Sequence, residues 1–295
     1  MLHITRQNHQ QMQQREQAAL HRSVLYLNLI AEVRQTHPSM GLRTLYERFE
    51  PEGIGRDAFI ALGVRHSLVI EPPKGPRTTF AHPSAIYPNL CVDKKLTGVN
   101  QLWSSDITYF LIGDQWHYLT FIMDVYSRRI IGYYAADNMR ASNNVAALKM
   151  ALDLRGIKDF EQQNFEQQLA HHSDRGSQYI SAAYTELLTK YRIAISMCSN
   201  VLENAHIERV NGVIKNKYLK FRKIESLYQL RKWLRQAVDA YNYHKPHSSL
   251  NKKTPVEFEN FIKELPKEDR PELSIFTYQQ NSENLNSNQL SFQFD

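Results

Sequence analysis

The chain has 295 residues, of which 42% are hydrophobic, and this length is typical of two domains with cores of their own. Its net charge of +6 favours a polyanionic partner without establishing one, because a soluble protein with a few spare lysines has the same balance. The two cysteines form no CxxC pair, which argues against a zinc ribbon or a disulfide framework. The sequence has neither a signal-peptide core nor an apolar run of the roughly 20 residues that cross a bilayer, so we expect a cytoplasmic protein.

The amino-terminal part of the chain has the apolar spacing of helices. Residues 1–22 are polar and glutamine-rich and predict a helix or arm, and three small helices are predicted within residues 23–70. The tight turns between them indicate a helix-turn-helix that docks on DNA, with Arg43 and Arg56 as phosphate contacts. Any small helical bundle has the same pattern, and the pattern alone favours that simpler alternative. A short strand is predicted over residues 65–73.

The rest of the chain divides into segments of different composition and predicted secondary structure. Prolines punctuate residues 71–100, and this composition predicts an extended linker between two domains. Residues 101–265 then predict three strands of an antiparallel meander, a helix, a strand, a helix, a strand and final helices. That order indicates an α/β fold, a mixed sheet flanked by helices as in the ribonuclease H-like architecture. Residues 266–295 are polar with little to bury, and they predict a disordered tail.

Three acidic residues stand out by their positions in the predicted elements. Asp106 lies inside the first strand of the α/β segment, where a buried charge is costly unless it is paired or bound to metal. Asp174 ends a later strand, at the edge where α/β sheets bind ligands, and Glu208 lies on a long helix. Such carboxylates can converge on hard cations such as Mg²⁺ or Mn²⁺. The α/β segment therefore predicts a site for two divalent ions, of the kind that promotes displacement at phosphorus.

Position alone does not single out these three acids among the 30 aspartates and glutamates of the chain. Asp124 is a second acid inside a strand, and Asp114 is most simply a turn residue. His171 and His172 lie in the apolar strand before Asp174, where they either support the site or are buried histidines with satisfied hydrogen bonds. The residues by themselves leave the triad as one option among several.

Four segments resemble the successive signatures of one family: WSSDITY, HSDRGSQY, ENAHIERVNGVIKNKY and YNYHKPHSSLNKKTPVEF. The family is the integrase-core transposases of bacterial insertion sequences. The nearest resemblance is to the catalytic second-reading-frame protein of insertion sequence family 3, and the wider group includes retroviral integrases. The segment HPSMGLRTLYERF also resembles the helix-turn-helix that precedes the core in that family.

The resemblance implies a ribonuclease H-like fold and places Asp106, Asp174 and Glu208 on the three catalytic acids of the family. The implied activity is DNA cleavage at element ends followed by strand transfer, with two Mg²⁺ or Mn²⁺ ions per site and no covalent protein–DNA intermediate. The interval between Asp174 and Glu208 is slightly shorter than the family usually has. Glu203 is therefore a rival third acid, and Glu208 is preferred because the helix residues that follow it match the family.

Basic residues are in excess after Glu208, which favours contact with DNA phosphates over a simple solvated helix face. The candidate contacts are Arg209, Asn211, Lys215, Lys217, Lys220, Arg222 and Lys223. The later segment YNYHKPHSSL, residues 241–250, is interpreted as packing that closes the last helix of the core, with His247 near DNA only by analogy.

The expected partners are terminal inverted repeats and target DNA, further copies of the chain in a dimer or larger synaptic complex, and an upstream-frame DNA-binding protein or fusion. A nucleoid-associated location in a bacterium follows from these partners. The tail residues Gln289, Leu290, Ser291 and Phe292 resemble a peptide that docks on sliding clamps, although a disordered tail explains them more simply. The alternative functions are a catalytically inactive repressor derived from a transposase and, less favoured, a nuclease for RNA–DNA hybrids.

Overall fold

Two compact units make up the chain, residues 1–74 and residues 75–295. The computed structural model describes residues 6–70, 87–158, 168–198 and 204–275. Each unit is described by itself below. No helix within these ranges is both long enough and apolar enough to cross a membrane.

The amino-terminal unit is a bundle of three helices around a small apolar core. Ile30, Leu45 and Phe59 are buried at its centre, because each helix places apolar residues on the face that meets the other two. The first helix runs without a break across the predicted boundary at residue 22. The helices are α1 (Arg6–Thr36), α2 (Leu42–Phe49) and α3 (Arg56–Arg65).

The strand predicted over residues 65–73 is wrong for its described part. Residues 66 and 67 form a turn, and residues 68–70 belong to no helix or strand. The carbonyl oxygen of Leu68 accepts a hydrogen bond of 2.6 Å from the Arg34 guanidinium, and its side chain packs on the helical core. Leu68 therefore covers the bundle and joins no sheet.

The larger unit is built on a five-stranded mixed sheet of order β4-β3-β2-β5-β6. The first three strands form an antiparallel meander, and β5 and β6 run parallel to β2. This topology confirms the predicted ribonuclease H-like architecture. The strands are β2 (Leu102–Ile112), β3 (Gln115–Asp124), β4 (Ile130–Ala136), β5 (Ala170–Ser173) and β6 (Ala194–Met197).

Helices cover both faces of the sheet, and each face has a hydrophobic core of its own. Neighbouring residues of one strand belong to different cores. Phe121 belongs to the core under the carboxy-terminal helices, whereas Ile122 belongs to the core under α4 and α5. Successive residues of a strand point to opposite faces, so one strand supplies both cores. The helices are α4 (Ala141–Leu154), α5 (Ala182–Lys190), α6 (Ala205–Val213), α7 (Leu227–Tyr243) and α8 (Pro255–Glu264).

The predicted linker and tail are partly ordered, which corrects both predictions. Strand β1 (Lys94–Leu96) pairs antiparallel with β7 (Leu273–Ile275). Leu96, Leu273 and Ile275 are buried in the main core, and that burial orders segments whose composition resembles a tether and a tail. Residues 71–86 and 276–295, including the clamp-like peptide, lie outside the described residues.

The long helix predicted to carry Glu208 has three kinds of winding. It begins as α6, widens to a π-helical segment (Ile214–Tyr218) and ends in a 3-10 turn (Leu219–Phe221). Ile214, Tyr218 and Leu219 are buried, so the wider turn keeps the apolar side chains on the core while the path changes.

Asp124, the rival acid of β3, is a structural residue at the centre of a buried ion network. Its carboxylate accepts hydrogen bonds from the backbone N–H groups of Asn100, Tyr126 and Ser127 and from the Arg155 guanidinium. Arg155 also binds Glu259 at 2.6 Å. These donors explain why an acid inside a strand needs no metal here.

Candidate active site

Strand pairing brings two of the three predicted acids to one edge of the sheet. Parallel strands β2 and β5 place Ser105 opposite Ser173, so the next residues along the two strands are Asp106 and Asp174. Helix α6 carries Glu208 and packs against β2. Two neighbouring strands and one helix therefore present their carboxylates to the same region.

Asn204 fixes the start of α6 against β2. Its side-chain amide donates to the Ser105 carbonyl at 3.2 Å, and its oxygen accepts from the Ser104 hydroxyl at 2.5 Å. Both bonds are buried, so they set the position of the helix relative to the strand that carries Asp106. The sequence gives no signal for this role beyond a polar residue at the helix start.

All three pairs of carboxylates interact electrostatically. Burial raises the pKa of Asp106 to about 8, and the charges of Asp174 and Glu208 add to the increase. Burial, and then the charge of Asp174, also raises the pKa of Glu208. Asp174 is exposed as a residue, but desolvation of its carboxylate by the neighbouring protein raises its pKa, and a 3.0 Å hydrogen bond from the Gly176 N–H opposes the effect. Like charges at this proximity disfavour simultaneous ionisation, and a bound cation would relieve that repulsion.

Asn211 holds Asp106 in place, which corrects its prediction as a DNA contact. The Asn211 side chain is buried, and its amide nitrogen donates to the Asp106 carboxylate at 2.7 Å. A residue enclosed in this way orients the carboxylate instead of reaching a phosphate in solution. Lys215 is half-buried on the same side, and its charge lowers the pKa of Asp106.

Two family models, both described as "Integrase core domain", match residues 97–200 and 191–255. Over 198 residues the chain is 30% identical to a transposase ascribed to insertion sequence element IS986/IS6110 of Mycobacterium tuberculosis, which covers 63% of this chain and 68% of that protein. It is 30% identical to the insertion element IS600 31 kDa protein of Shigella sonnei over 78% of this chain and 84% of that protein. It is also similar to the HTLV-2 integrase catalytic core domain solved with magnesium, with 21% identity, a TM-score of 0.42, and coverage of 55% of this chain and 97% of that one.

The chain belongs to the integrase-core transposases of insertion sequences. The integrase-core match extends over the strands that carry Asp106 and Asp174 and over the helix that carries Glu208. Glu203, the rival third acid, lies outside the described residues.

The donor set of this integrase-core site fits a hard divalent cation. Carboxylate oxygens are the ligands that Mg²⁺ and Mn²⁺ prefer, and the pKa values of all three acids are raised, so a cation would stabilise their ionised forms. Within the described ranges, however, no group of three or more His, Cys, Asp or Glu side chains has the geometry to hold a metal ion. The acids therefore interact but are not preassembled around one point.

We expect metal binding to depend on pH through Asp106. Metal requires the ionised carboxylate, so affinity should fall as pH decreases below about 8. Without metal, the raised pKa has the opposite consequence. The stability that it contributes is present at low pH and is lost as pH rises through about 8.

Thermal unfolding with and without Mn²⁺ at about pH 6 and about pH 9 measures both effects. The metal-free midpoint should be lower at the higher pH, and the stabilisation by Mn²⁺ should be larger there. Asp106→Asn should weaken both dependences, because only the raised pKa values of Asp174 and Glu208 would remain, whereas Asp114→Asn on an exposed turn should retain them in full. Equal stabilisation by Mn²⁺ at both pH values would contradict the assignment.

The predicted phosphate contacts lie in several environments. Arg209, Lys217 and Lys220 are exposed on or just after α6. Arg222 stacks on Trp233, with 4.4 Å between the guanidinium carbon and the ring centroid. The remaining three basic side chains form exposed ion pairs, Lys223 with Glu225, Arg43 with Glu47 and Arg56 with Asp57. An exposed pair of this kind can be exchanged for a phosphate at little cost.

His171 and His172 are buried and hydrogen-bonded, which favours the simpler of their two interpretations. His171 contacts the Tyr184 hydroxyl through Nε2 at 2.8 Å. His172 contacts the Ser196 hydroxyl through Nδ1 at 2.8 Å and the Cys198 thiol through Nε2 at 3.1 Å. These partners fasten β5 to the neighbouring elements and leave neither ring directed at the carboxylates.

Proposed function

We propose that the protein is a DDE transposase that cleaves DNA at the ends of an insertion sequence and joins the freed strand to target DNA. Asp106, Asp174 and Glu208 are the catalytic and metal-binding residues of this proposal. The observation that carries it is the mutual interaction of these carboxylates at the junction of β2, β5 and α6. Membership in the integrase-core transposases supports the same chemistry.

Each residue of the site has a distinct part in the proposed reaction. Two divalent ions, Mg²⁺ or Mn²⁺, supply activation of the attacking hydroxyl and stabilisation of the leaving oxygen when they are bound. Asp106 offers one carboxylate that is held by Asn211 and by the N–H of Ile107. Asp174 and Glu208 are exposed and can turn toward the ions. Lys215 places a positive charge beside Asp106, where a phosphate would enter.

Further partners follow from the same proposal. Terminal inverted repeats and target DNA would meet the exposed basic residues Arg209, Lys217 and Lys220, and Arg43 and Arg56 of the amino-terminal unit would contact the repeat. Transposition joins two element ends, so a dimer or larger synaptic complex is proposed. An upstream-frame DNA-binding protein or fusion and, through the tail, a sliding clamp are additional proposed partners.

A catalytically inactive DNA-binding repressor is the second candidate. It is favoured by one observation, that the described residues contain no preassembled group of metal ligands. Both candidates bind the element ends, and only the transposase yields a metal-dependent product.

Cleavage of a labelled duplex tests the proposal directly. The duplex carries the inverted repeat that flanks the gene, and the expected product is a nick at the repeat end with Mg²⁺ or Mn²⁺ and none with EDTA. A duplex of the same length without the repeat is the substrate control. Binding to the repeat without any metal-dependent product would overturn the transposase and support the repressor.

A further inference from the structure

A cluster of basic side chains lies beside His206 and Arg209 of α6, and neither the catalytic acids nor the core accounts for it. We name it the basic recess, and its members come from three distant parts of the chain. Arg128 comes from the turn between β3 and β4, His206 and Arg209 from α6, and Lys245 and His247 from the turn after α7.

Contacts within the basic recess connect its members. The Arg128 guanidinium, which can only donate, bonds Nδ1 of His206, so that histidine is neutral. The Tyr241 ring packs edge-on against His247, with 4.8 Å between centroids, and the Lys245 ammonium lies 5.9 Å from the same tyrosine ring. Arg209 is within electrostatic range of Arg128, Lys245 and His247.

Positive charge in the basic recess has little compensation. Among the described residues, none of Arg128, Arg209 and Lys245 forms an ion pair with a carboxylate. Burial, together with the charges of Lys217 and Arg209, lowers the pKa of Lys245 to about 8. Burial also lowers the pKa of Arg128 to about 10. Grouped cations with so little solvent are costly to keep, which points to a ligand that compensates for the cost.

Donor chemistry identifies the ligand class. Arg128 is buried, Arg209 is exposed, and Nε2 of His247 is buried without a hydrogen-bond partner among the described residues. Guanidinium, ammonium and imidazole N–H groups that lie within electrostatic range of one another match the oxygens of a phosphate. Arg209 directly follows Glu208, so a strand that passes the carboxylates also passes this recess.

We propose that Arg128, Arg209, Lys245 and His247 bind one backbone phosphate of the DNA, beside the catalytic acids but separate from them. The proposal rests on the proposed function for the identity of the polyanion. It assigns to the segment YNYHKPHSSL a role in DNA binding as well as packing. The site anchors the strand, so it contributes to affinity and register and not to the chemical step.

Lys245→Met tests the site because it removes the charge and keeps the side-chain length. Binding of the full chain to the repeat duplex is measured in EDTA at several salt concentrations. We expect affinity to fall about 3–10-fold and the salt dependence to decrease by about one phosphate contact. Lys149→Met, an exposed lysine on α4, is the matched control and should change neither quantity. Unchanged affinity and slope for Lys245→Met would overturn the proposal.

Stability separates a binding role from a structural one. Lys245→Met should unfold at the same or a higher temperature than the parent, because it relieves repulsion from Lys217 and Arg209. A lower unfolding temperature with unchanged DNA binding would show a structural lysine and overturn the site.

Two further experiments identify the source of the phosphate. A methylphosphonate removes the charge of a single phosphate. At one position of the duplex this substitution should weaken DNA binding by the parent but not by Lys245→Met. Stabilisation of the parent by inorganic phosphate, without any effect of Lys245→Met on DNA binding, would show a small-anion site and overturn the DNA proposal. Binding is measured without metal, so the two proposals fail separately. Absence of cleavage contradicts only the proposed chemistry. An unchanged salt dependence of DNA binding in Lys245→Met contradicts only the phosphate site.

Discussion

Asp174→Asn is expected to lower metal-dependent cleavage by on the order of 10³-fold or more while the protein stays folded. The amide keeps the size of the side chain but removes the negative charge that would hold an ion. Asp174 contributes little to packing, because it is exposed at the end of β5 and its described hydrogen bond comes from the Gly176 N–H. Its charge raises the pKa values of Asp106 and Glu208, so the neutral variant also relieves repulsion.

Two measurements on Asp174→Asn separate chemistry from folding. Single-turnover cleavage of the repeat duplex should be lost, and the unfolding temperature should equal or exceed that of the parent. Binding of the duplex in EDTA should be preserved. Asp114→Asn is the matched control, since it makes the same chemical change at an exposed turn. Cleavage by Asp174→Asn at the parental rate would refute the assignment of the three acids.

The sequence predicted the sheet because its strands are apolar and the turns between them are short. The meander of β2, β3 and β4 and the parallel strands β5 and β6 all lie where the pattern placed them. Once β2 and β5 are neighbours, Asp106 and Asp174 must lie close together, and only the position of Glu208 depends on helix packing. Local pattern and family signature therefore agree on the part of the site that strand register determines.

Long-range pairing is the part that the sequence could not reveal. Strands β1 and β7 have three residues each, and nothing in either segment indicates its partner across the chain. Asp124 resembled a catalytic acid because the partners that satisfy it, Arg155 and the turn after β3, are recognisable only in three dimensions. Asn211 was predicted as a DNA contact for the same reason, since its spacing from Glu208 does not show that it faces Asp106.

The basic recess was also hidden from the sequence, because composition does not reveal which charged residues lie together. A count of lysines and arginines pointed to the exposed residues after Glu208, and it missed Arg128 and Lys245. These two residues are separated by more than a hundred positions, and only the fold brings both of them near Arg209 of α6. Sequence composition indicates a polyanionic partner, whereas the fold determines where single phosphates would be held.

Arg155→Met is expected to lower the free energy of unfolding of the larger unit by about 3–5 kcal/mol. Arg155 bonds Asp124 at 3.1 Å and Glu259 at 2.6 Å, and all three side chains are almost fully enclosed. Burial opposes the charge on Glu259, but Arg155 and Arg129 outweigh it and lower the pKa of that carboxyl. Removal of the arginine leaves two neighbouring buried carboxylates with much less compensation, and the network fastens β3 to α4 and α8.

Urea unfolding followed by tryptophan fluorescence measures this loss, because all three tryptophans, Trp103, Trp116 and Trp233, lie in the larger unit. Lys95→Met breaks an exposed pair with Glu272 and should cost no more than about 1 kcal/mol. Adding Asp124→Asn and Glu259→Gln to Arg155→Met should recover part of the lost free energy of unfolding, because the two buried side chains without Arg155 are then neutral. If Arg155→Met were no less stable than Lys95→Met, the network would not hold the unit together. If such a stable Arg155→Met variant lost cleavage activity, the cause would have to lie at the catalytic site and not in unfolding.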